Sequence, residues 1–556
     1  MTTRIWDTLP RIIEEAASDA PERIALEDEH GSFTYADLRQ LMHSASAGFA
    51  DVGIVRGDRV VVYLPNGIDW IVTVLGLSHL GAVSVLVNTR YRPRELAHII
   101  ADSEAVGIIH RSRFLGRDYD QELDDSRQAL QDGARPQIDG TELPTMRHLI
   151  ATHAGDATVV HPTRVLEKML GVDADFRWVE GIPDIDAGSS SATAEDTLFV
   201  IYTSGTTGNP KGSMIRHGAA VASGFSSGEQ IDMAADDRLL CFLPLFHSFG
   251  AVNGVCNTFS HRATLVLHDE FDAERVLRSI AQDRITCVYG VPTNFLLMNA
   301  AYEAHDGGFD LATWRTGIVG GGMVTDELVR IFDEVFGVAG MTNSYGLTET
   351  AAPVTKTRAS DPSPDRVVSS GRPLPGLLVA IEGPDGTRDD GSAPTGMIGE
   401  ILINGYGVHP RYIGRSRENS GVDAGGWFHT GDTGHWDENG RLRVLGRTTE
   451  MYKSAGFNVY PAEIESQLRQ YPGVADAAVI GIPDRIREER GIAFVTVAAG
   501  ATLDVDEVHT WLRARLANFK NPSQIVLVDE LPRNAVGKIQ KHVLRDTYQT
   551  ESAHLP

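Results

Sequence analysis

The sequence predicts an α/β fold: a large N-terminal part built on helix-covered parallel sheets, then a small α+β unit. Three features predict it. Apolar runs of strand length alternate with amphipathic segments of helix length over 34–109 and again over 198–346. After Ser370 short β runs are parted by Gly, Pro and Asp turns, which is the pattern of antiparallel strands. From Gly446 helix and strand patterns mix again in a compact stretch. At 556 residues the chain exceeds the roughly 250–300 at which single cores stop growing, so several domains are expected, with a boundary between 446 and 447.

The elements follow in order. Thr34 is a helix N-cap before an apolar face of Leu38, Leu41, Ala45 and Phe49. Residues 59–64 read as a buried strand, 68–79 as a helix and 83–87 as a second strand. Pro93 opens the next helix, and 105–109 is the third strand, giving a parallel βαβαβ unit. Residues 113–197 are polar and less periodic, and read as a partly helical surface insertion closed by a mobile Ser/Ala linker. Further strands are expected at 198–202, 239–243, 264–267, 287–291 and 316–319, then antiparallel ones at 377–381, 399–403 and within 434–445. The last unit carries a helix at 461–470, a strand at 474–480 and a helix at 505–516. No internal repeat is visible.

Composition narrows the classes of function. A formal charge of −25 argues against a broad nucleic-acid or anionic-membrane surface. The three cysteines, Cys241, Cys256 and Cys287, have neither disulfide-framework nor zinc spacing, so a reducing, cytoplasmic setting is expected. No apolar h-region of a secretory signal and no membrane-spanning apolar run is found.

Residues 202–212 read YTSGTTGNPKG. A buried strand runs into Thr203, Ser204, Gly205, Thr206, Thr207, Gly208 and Lys211, which together make a phosphate cradle. Glycines let backbone N–H groups approach phosphate oxygens, hydroxyls add donors, and the lysine adds charge. It is not the common P-loop, because Asn209 and Pro210 stand between Gly208 and the lysine. A flexible linker would not follow five apolar residues or end on Pro-Lys-Gly.

Four further segments carry chemistry. In 343–350, NSYGLTET, Tyr345 can stack on a base, Thr348 can touch a phosphate, and Glu349 can hold Mg²⁺. Thr430-Gly-Asp432 puts a carboxylate in a tight turn suited to a ribose diol. Arg447 precedes a basic loop with Lys453 and a Pro461-started helix. Lys538 follows Gly537 in a flexible loop near the end. Each alone is compatible with an ordinary turn or a solvated surface.

In order and spacing, these segments resemble the adenylate-forming superfamily of acyl-CoA synthetases, luciferases and peptide-synthetase adenylation domains, most closely the acyl-CoA ligases, over nearly the whole chain outside 113–197. The resemblance implies an N-terminal adenylation domain (1–446) with a small β-barrel-like subdomain and a mobile C-terminal lid domain (447–556). It implies ATP, Mg²⁺ and CoA as cofactor and co-substrates. Residues 203–211 would hold the β- and γ-phosphates, Tyr345 the adenine, Thr348 the α-phosphate, Glu349 the metal, and Asp432 and Arg447 the ribose. Lys538 would bridge the carboxylate and the α-phosphate, and Thr449 would be the hinge, an uncharged departure from the Asp or Lys of many relatives. Glu450 is the nearest charged stand-in.

By the same resemblance the acyl pocket would be lined by Phe246, His247, Phe295, Gly320, Gly321, Gly322, Gly346 and Leu347, with His247 as a gate beside the carboxylate. Leu296 and Met298 lie near these in sequence. This apolar lining favours a medium-chain, aromatic or ring-containing acid, and residues 242–250 offer no acidic partner for an amino-acid amine. Lys453, Ser454, Ala455 and Gly456 would line the acceptor tunnel. Ala455 stands where relatives commonly have a second glycine, so transfer to an amine, as in amide synthetases, or to the pantetheine of a carrier protein stays open beside transfer to CoA. Partners beyond small molecules are not expected, and the sequence leaves the oligomeric state open between monomer and homodimer.

Overall fold

The computed structural model describes residues 8–552 except 30, 112, 115, 132–147, 152–189, 204–209, 323, 409–410, 414–420, 448–449, 455–456, 485–487, 517 and 534–538. Two large sheets carry the N-terminal part. The seven-stranded sheet has a parallel centre in which Arg59–Tyr63 lies between Val83–Leu86 and Gly107–His110, and Thr197–Thr203 joins it parallel to Val83–Leu86. Lys211–Arg216 then returns antiparallel to Thr197–Thr203. The nine-stranded sheet is parallel through Gly340–Tyr345, Thr316–Gly320, Cys287–Gly290, Arg238–Cys241, Thr264–Leu267 and Ile24–Asp28.

The helices between the sheets form as their patterns require. Thr34 and Asp37 exchange side-chain and backbone bonds in a capping box at the start of Tyr35–Asp51, and Leu38, Leu41, Ala45 and Phe49 are fully buried. Ile68–Leu80 is buried nearly all round. Its Gly76 permits a close crossing, since a Cβ there would lie 2.5 Å from the Ala45 Cβ.

The 113–197 stretch departs from expectation at its end. Its described parts are a short hairpin, the helix Tyr119–Gln131 and the strand His148–Ala151, which extends the parallel sheet beside Gly107–His110. Residues 190–196, expected to be a mobile linker, are fastened down. Ser190 Oγ donates to the His79 carbonyl at 3.0 Å and Ser191 Oγ to that of Leu80 at 2.6 Å, while Asp196 pairs with Arg56 at 2.6 Å. These serines satisfy carbonyls that the end of the helix leaves without partners.

Beyond residue 370 the subdomain expected to be barrel-like is a five-stranded antiparallel sheet ordered Arg388–Asp389, Leu377–Glu382, Gly399–Gly405, Phe428–Trp436 and Leu442–Arg447. From Tyr452 on, apolar side chains form clusters of their own. There Val474–Asp484 and Glu488–Val497 make a long hairpin, covered by Pro461–Arg469 and Val505–Arg513. Glu488–Val497 escaped the sequence reading. No helix among the described residues is long and apolar enough to cross a membrane.

Asn66 joins the two large sheets. Its Nδ2 donates to the carbonyls of Leu243 and His268, both at 3.0 Å, and its Oδ1 accepts the Leu245 N–H at 2.9 Å. Asn66→Ala strands three buried backbone groups, each of which costs about 1–3 kcal/mol when unpaired, with partial relaxation. Denaturant unfolding of the variant should show a loss of about 2–4 kcal/mol; a loss below about 1 kcal/mol would contradict this role.

Candidate functional site

The site is built where the strand ends of the two large sheets meet the antiparallel sheet. Thr203 and Lys211 face each other across the pair Thr197–Thr203 and Lys211–Arg216, and Tyr202 faces Gly212. A Cβ at Gly212 would lie 2.9 Å from the Tyr202 ring, so only glycine lets that ring cross the strand pair. His98 supports the returning strand through a ring-nitrogen contact of 3.2 Å to the Pro210 carbonyl.

Glu349 stands on a single 3-10 turn, Thr348–Thr350, just after Gly340–Tyr345. Its Oε1 accepts the Thr203 hydroxyl at 3.3 Å and the Tyr412 hydroxyl at 3.0 Å. Tyr412 belongs to a two-residue strand on the edge of the seven-stranded sheet, opposite Ser213, and the Lys211 ammonium lies 6.0 Å from its ring centroid. The sequence reading missed Tyr412, because a tyrosine after Pro410-Arg411 carries no motif of its own.

Asp432 forms the second cluster. Its Oδ2 accepts the Tyr345 hydroxyl at 2.7 Å, and its Oδ1 lies 2.8 Å from Arg447 Nε. Asp432 and Arg447 are directly opposed across the antiparallel sheet. The turn before Asp432 is built for this. Its N–H donates to Thr430 Oγ1 at 3.0 Å, Thr430 donates to the Ile401 carbonyl at 2.7 Å, and Gly431, at φ +70°, gives its N–H to Glu400 at 2.9 Å. Burial, reinforced by Asp432, raises the Tyr345 pKa well above the usual phenol value and keeps it a donor.

The third cluster surrounds His247. Its Nδ1 accepts the Phe249 N–H at 3.2 Å, which puts the proton of the neutral ring on Nε2. Part of the residue's surface is open, yet burial pushes the imidazole down to about 4. Ser248 and Thr348 hydroxyls are 3.5 Å apart, tying this segment to the Glu349 turn. Phe249–Cys256 continues as a π-helix, a form often found at functional sites. Phe249 stacks on Tyr289 at 6.4 Å, and its ring lies 3.6 Å from where a Gly320 Cβ would stand. Gly321, at φ +73°, and Gly322 are exposed on the same side of the sheet end. Phe246 is half-buried and Leu347 buried.

Two expected site residues, Phe295 and Ser454, do other work. Phe295 has no exposed surface. It stacks on Trp314 at 6.2 Å and meets Phe332 edge-on at 4.9 Å, so it belongs to the core, as does Met298. Gly346 is exposed beside the Glu349 turn and also allows a tight return of the chain, since a Cβ there would lie 2.8 Å from Pro353 Cα. Ser454 is only 2% exposed within the C-terminal sheet, where Tyr452–Ser454 pairs with Phe457–Val459, so its side chain cannot line a tunnel; Lys453 lies on the same strand. Ser204, Gly205, Thr206, Thr207, Gly208, Thr449, Ala455, Gly456 and Lys538 lie outside the described residues.

Residues 13–413 match the family described as AMP-binding enzyme, and 463–538 match the AMP-binding enzyme C-terminal domain. The chain belongs to this family, that of the AMP-forming acyl-CoA ligases. It is 34% identical, over 97% of this chain and 98% of the relative, to a Mycobacterium tuberculosis ligase named for coupling CoA to a propanoate that bears a methyl-dioxo-octahydroindenyl group. It is also 34% identical to feruloyl-CoA synthase of an Amycolatopsis species, over 95% and 96% of the two chains. Among solved structures it resembles o-succinylbenzoate-CoA synthetase of Bacillus subtilis in complex with ATP and magnesium ion, at TM-score 0.77 and 27% identity over 96% and 99% of the chains. Acyl-CoA ligation, with CoA as co-substrate, is therefore the chain's class of activity.

His247 gives the site a measurable pH signature. The unfolded chain takes up a proton on this histidine as pH falls from 6.5 to about 4, and the folded chain does not, so stability falls through that window. His247→Asn should flatten the fall of Tm between pH 6.5 and 4, and an unchanged slope would contradict the neutral imidazole.

Proposed function

We propose that the chain activates a medium-chain, aromatic or ring-containing carboxylic acid with ATP and passes the acyl group to CoA within this site. One observation carries the reading: Glu349 touches Thr203 at the start of the glycine-rich segment, with Lys211 on the strand opposite. A carboxylate whose neighbours are hydroxyl donors, with no ion-pair partner among the described residues, fits a hard divalent cation. Bound there, Mg²⁺ would offset charge on the phosphate oxygens.

In the first half-reaction the acid's carboxylate oxygen attacks the α-phosphorus, and pyrophosphate leaves. Thr203, Ser204, Gly205, Thr206, Thr207, Gly208 and Lys211 hold the departing β- and γ-phosphates. Thr348 and Lys538 meet the charge that gathers at the α-phosphate. Tyr345 packs on the adenine while Asp432 and Arg447 meet the ribose. In the second half-reaction the CoA thiolate attacks the acyl carbonyl carbon and AMP leaves, with Lys453, Ala455 and Gly456 on the acceptor side. Arg447 ends the last strand of the antiparallel sheet, so the two units, read from the sequence as 1–446 and 447–556, divide just after it rather than before it, and Thr449 is the hinge.

The pocket itself supports a finer reading of the acid. Phe249 stacks on the Tyr289 ring, Asn257 donates to its hydroxyl at 2.7 Å, and Asn253 lies midway between them along the same helical segment. Asn253 is 2% exposed, and its amide oxygen finds no partner among the described residues. An unpaired buried amide beside the acyl pocket would favour a ligand that brings it a hydrogen-bond donor. The acid therefore carries a hydrogen-bond donor remote from its carboxylate.

Pyrophosphate release and thioester formation across a panel of acids test the reading. Ring acids with a distal hydroxyl or amino group should be preferred. Asn253→Leu should cost them about tenfold or more in kcat/KM while sparing unsubstituted acids; equal effects on both classes would refute the selection. Lys538→Ala should abolish acyl-AMP formation and leave ATP binding, read by calorimetry, largely intact. Adenylation at the wild-type rate would refute the lysine's role. Amide instead of thioester, when amines are supplied, would overturn CoA as acceptor.

A further inference from the structure

A buried ion-pair triad lies at the start of the last helix, Lys541–Ser552. Lys541 Nζ is 2.7 Å from Glu450 Oε2 and 2.9 Å from Glu465 Oε1, and the three side chains are 13%, 28% and 7% exposed. Glu465 Oε1 also accepts the Val479 N–H at 2.7 Å, which fixes it to the long hairpin. Burial alone would lower the Lys541 pKa, but Glu465 and Glu450 outweigh it and raise it, so the ammonium persists throughout the neutral range.

The position of this triad gives it consequence. Lys541 follows Lys538 by three residues. The stem on the other side of the Lys538 segment is fixed independently: Arg533 bridges to Ile539, the Gln540 N–H donates to the Pro532 carbonyl at 2.8 Å, and the Arg533 guanidinium rests on Asp476. Glu450, at the far end of the triad, sits in the turn that leaves Arg447. The N–H groups of Glu450 and Met451 donate to the Arg447 carbonyl at 3.0 and 3.1 Å, and Arg447 is itself paired with Asp432. A short series of contacts thus runs from Asp432 through Arg447 and Glu450 to Lys541.

We propose that Lys541 is a positioning residue for adenylation: through Glu450 and Glu465 it fixes the stem that carries Lys538 relative to the turn after Arg447. The proposal rests on the role given above to Lys538. It makes Glu450 part of the C-terminal unit rather than a free charge at the hinge. The alternative is that the triad only holds the C-terminal unit together, in which case its loss weakens every activity in proportion to stability.

The test separates the two half-reactions in the full-length enzyme. Acyl-AMP formation is followed by pyrophosphate release, and thioester formation by supplying synthetic acyl-AMP with CoA. Lys541→Gln should lower the adenylation kcat at least tenfold with little change in KM for ATP, while thioester formation from supplied acyl-AMP stays within about twofold of wild type. Lys541→Arg should restore most of the loss. Because Lys541→Gln leaves Glu465 buried without its cation and can impair folding, Glu450→Gln provides a second probe that keeps the Lys541–Glu465 pair. It should show the same selective loss, about threefold or more, at unchanged Tm. Parallel loss of both half-reactions with falling Tm, or wild-type adenylation in Glu450→Gln, would overturn the positioning role. Lys538→Ala run alongside distinguishes the two failures: if it adenylates normally, the functional reading beneath the proposal falls; if it is inactive while the triad variants behave as wild type, only the proposal falls.

Discussion

A carboxylate at Asp432 sits where three parts of the chain converge, and it is 6% exposed. A charge so placed is costly unless partners surround it, and removing one partner from a buried pair costs more than the pair gains. Tyr345 comes from the last parallel strand of the nine-stranded sheet, while Arg447, on the final strand of the antiparallel sheet, and the Thr430–Gly431 turn come from two strands of that one sheet. None of the three can shift without exposing or orphaning the carboxylate. The relative placement of the large sheet, the antiparallel sheet and the exit toward residue 450 follows from satisfying this one group.

The remaining site chemistry is arranged around that anchor by parallel-sheet geometry. In open α/β sheets functional side chains gather beyond the carboxyl ends of the strands. Here Gly340–Tyr345, Thr316–Gly320 and Arg238–Cys241 deliver Tyr345, the glycine triplet and the His247 segment to the same end. The glycine-rich segment after Thr197–Thr203 comes from the other sheet, and Glu349 joins the two through Thr203. Asn66, bonded to Leu243, Leu245 and His268, holds the sheets in the register this meeting requires.

Much of this was legible in the residues, and the exceptions have physical causes. Strands such as 264–267 and helices such as 68–79 are nearly continuous apolar runs with turn residues at their ends, so burial and period agree. Glu488–Val497 was passed over because charges at its start and Gly491 inside it mask a strand that pairs on both sides. The serines at 190 and 191 looked like linker, since sequence cannot show which carbonyls they would meet. Phe295 looked like pocket lining because apolar lining and apolar core share one composition; the aromatic stack with Trp314 and Phe332 decides for the core. Tyr412 had no motif, and only strand pairing beside Lys211–Arg216 brings it to Glu349.

In the proposed reaction a substrate carboxylate attacks the α-phosphorus of ATP in this site before CoA takes the acyl group. The fate of a heavy-oxygen label tests it directly. With the acid's carboxylate labelled, the bridging oxygen of the acyl-adenylate comes from the acid and departs with AMP when the thiolate displaces it. Mass spectrometry of the nucleotide should find a single labelled oxygen in each AMP, formed in step with thioester. Label in inorganic phosphate accompanied by ADP, or unlabelled AMP, would rule out attack by the acid at the α-phosphorus.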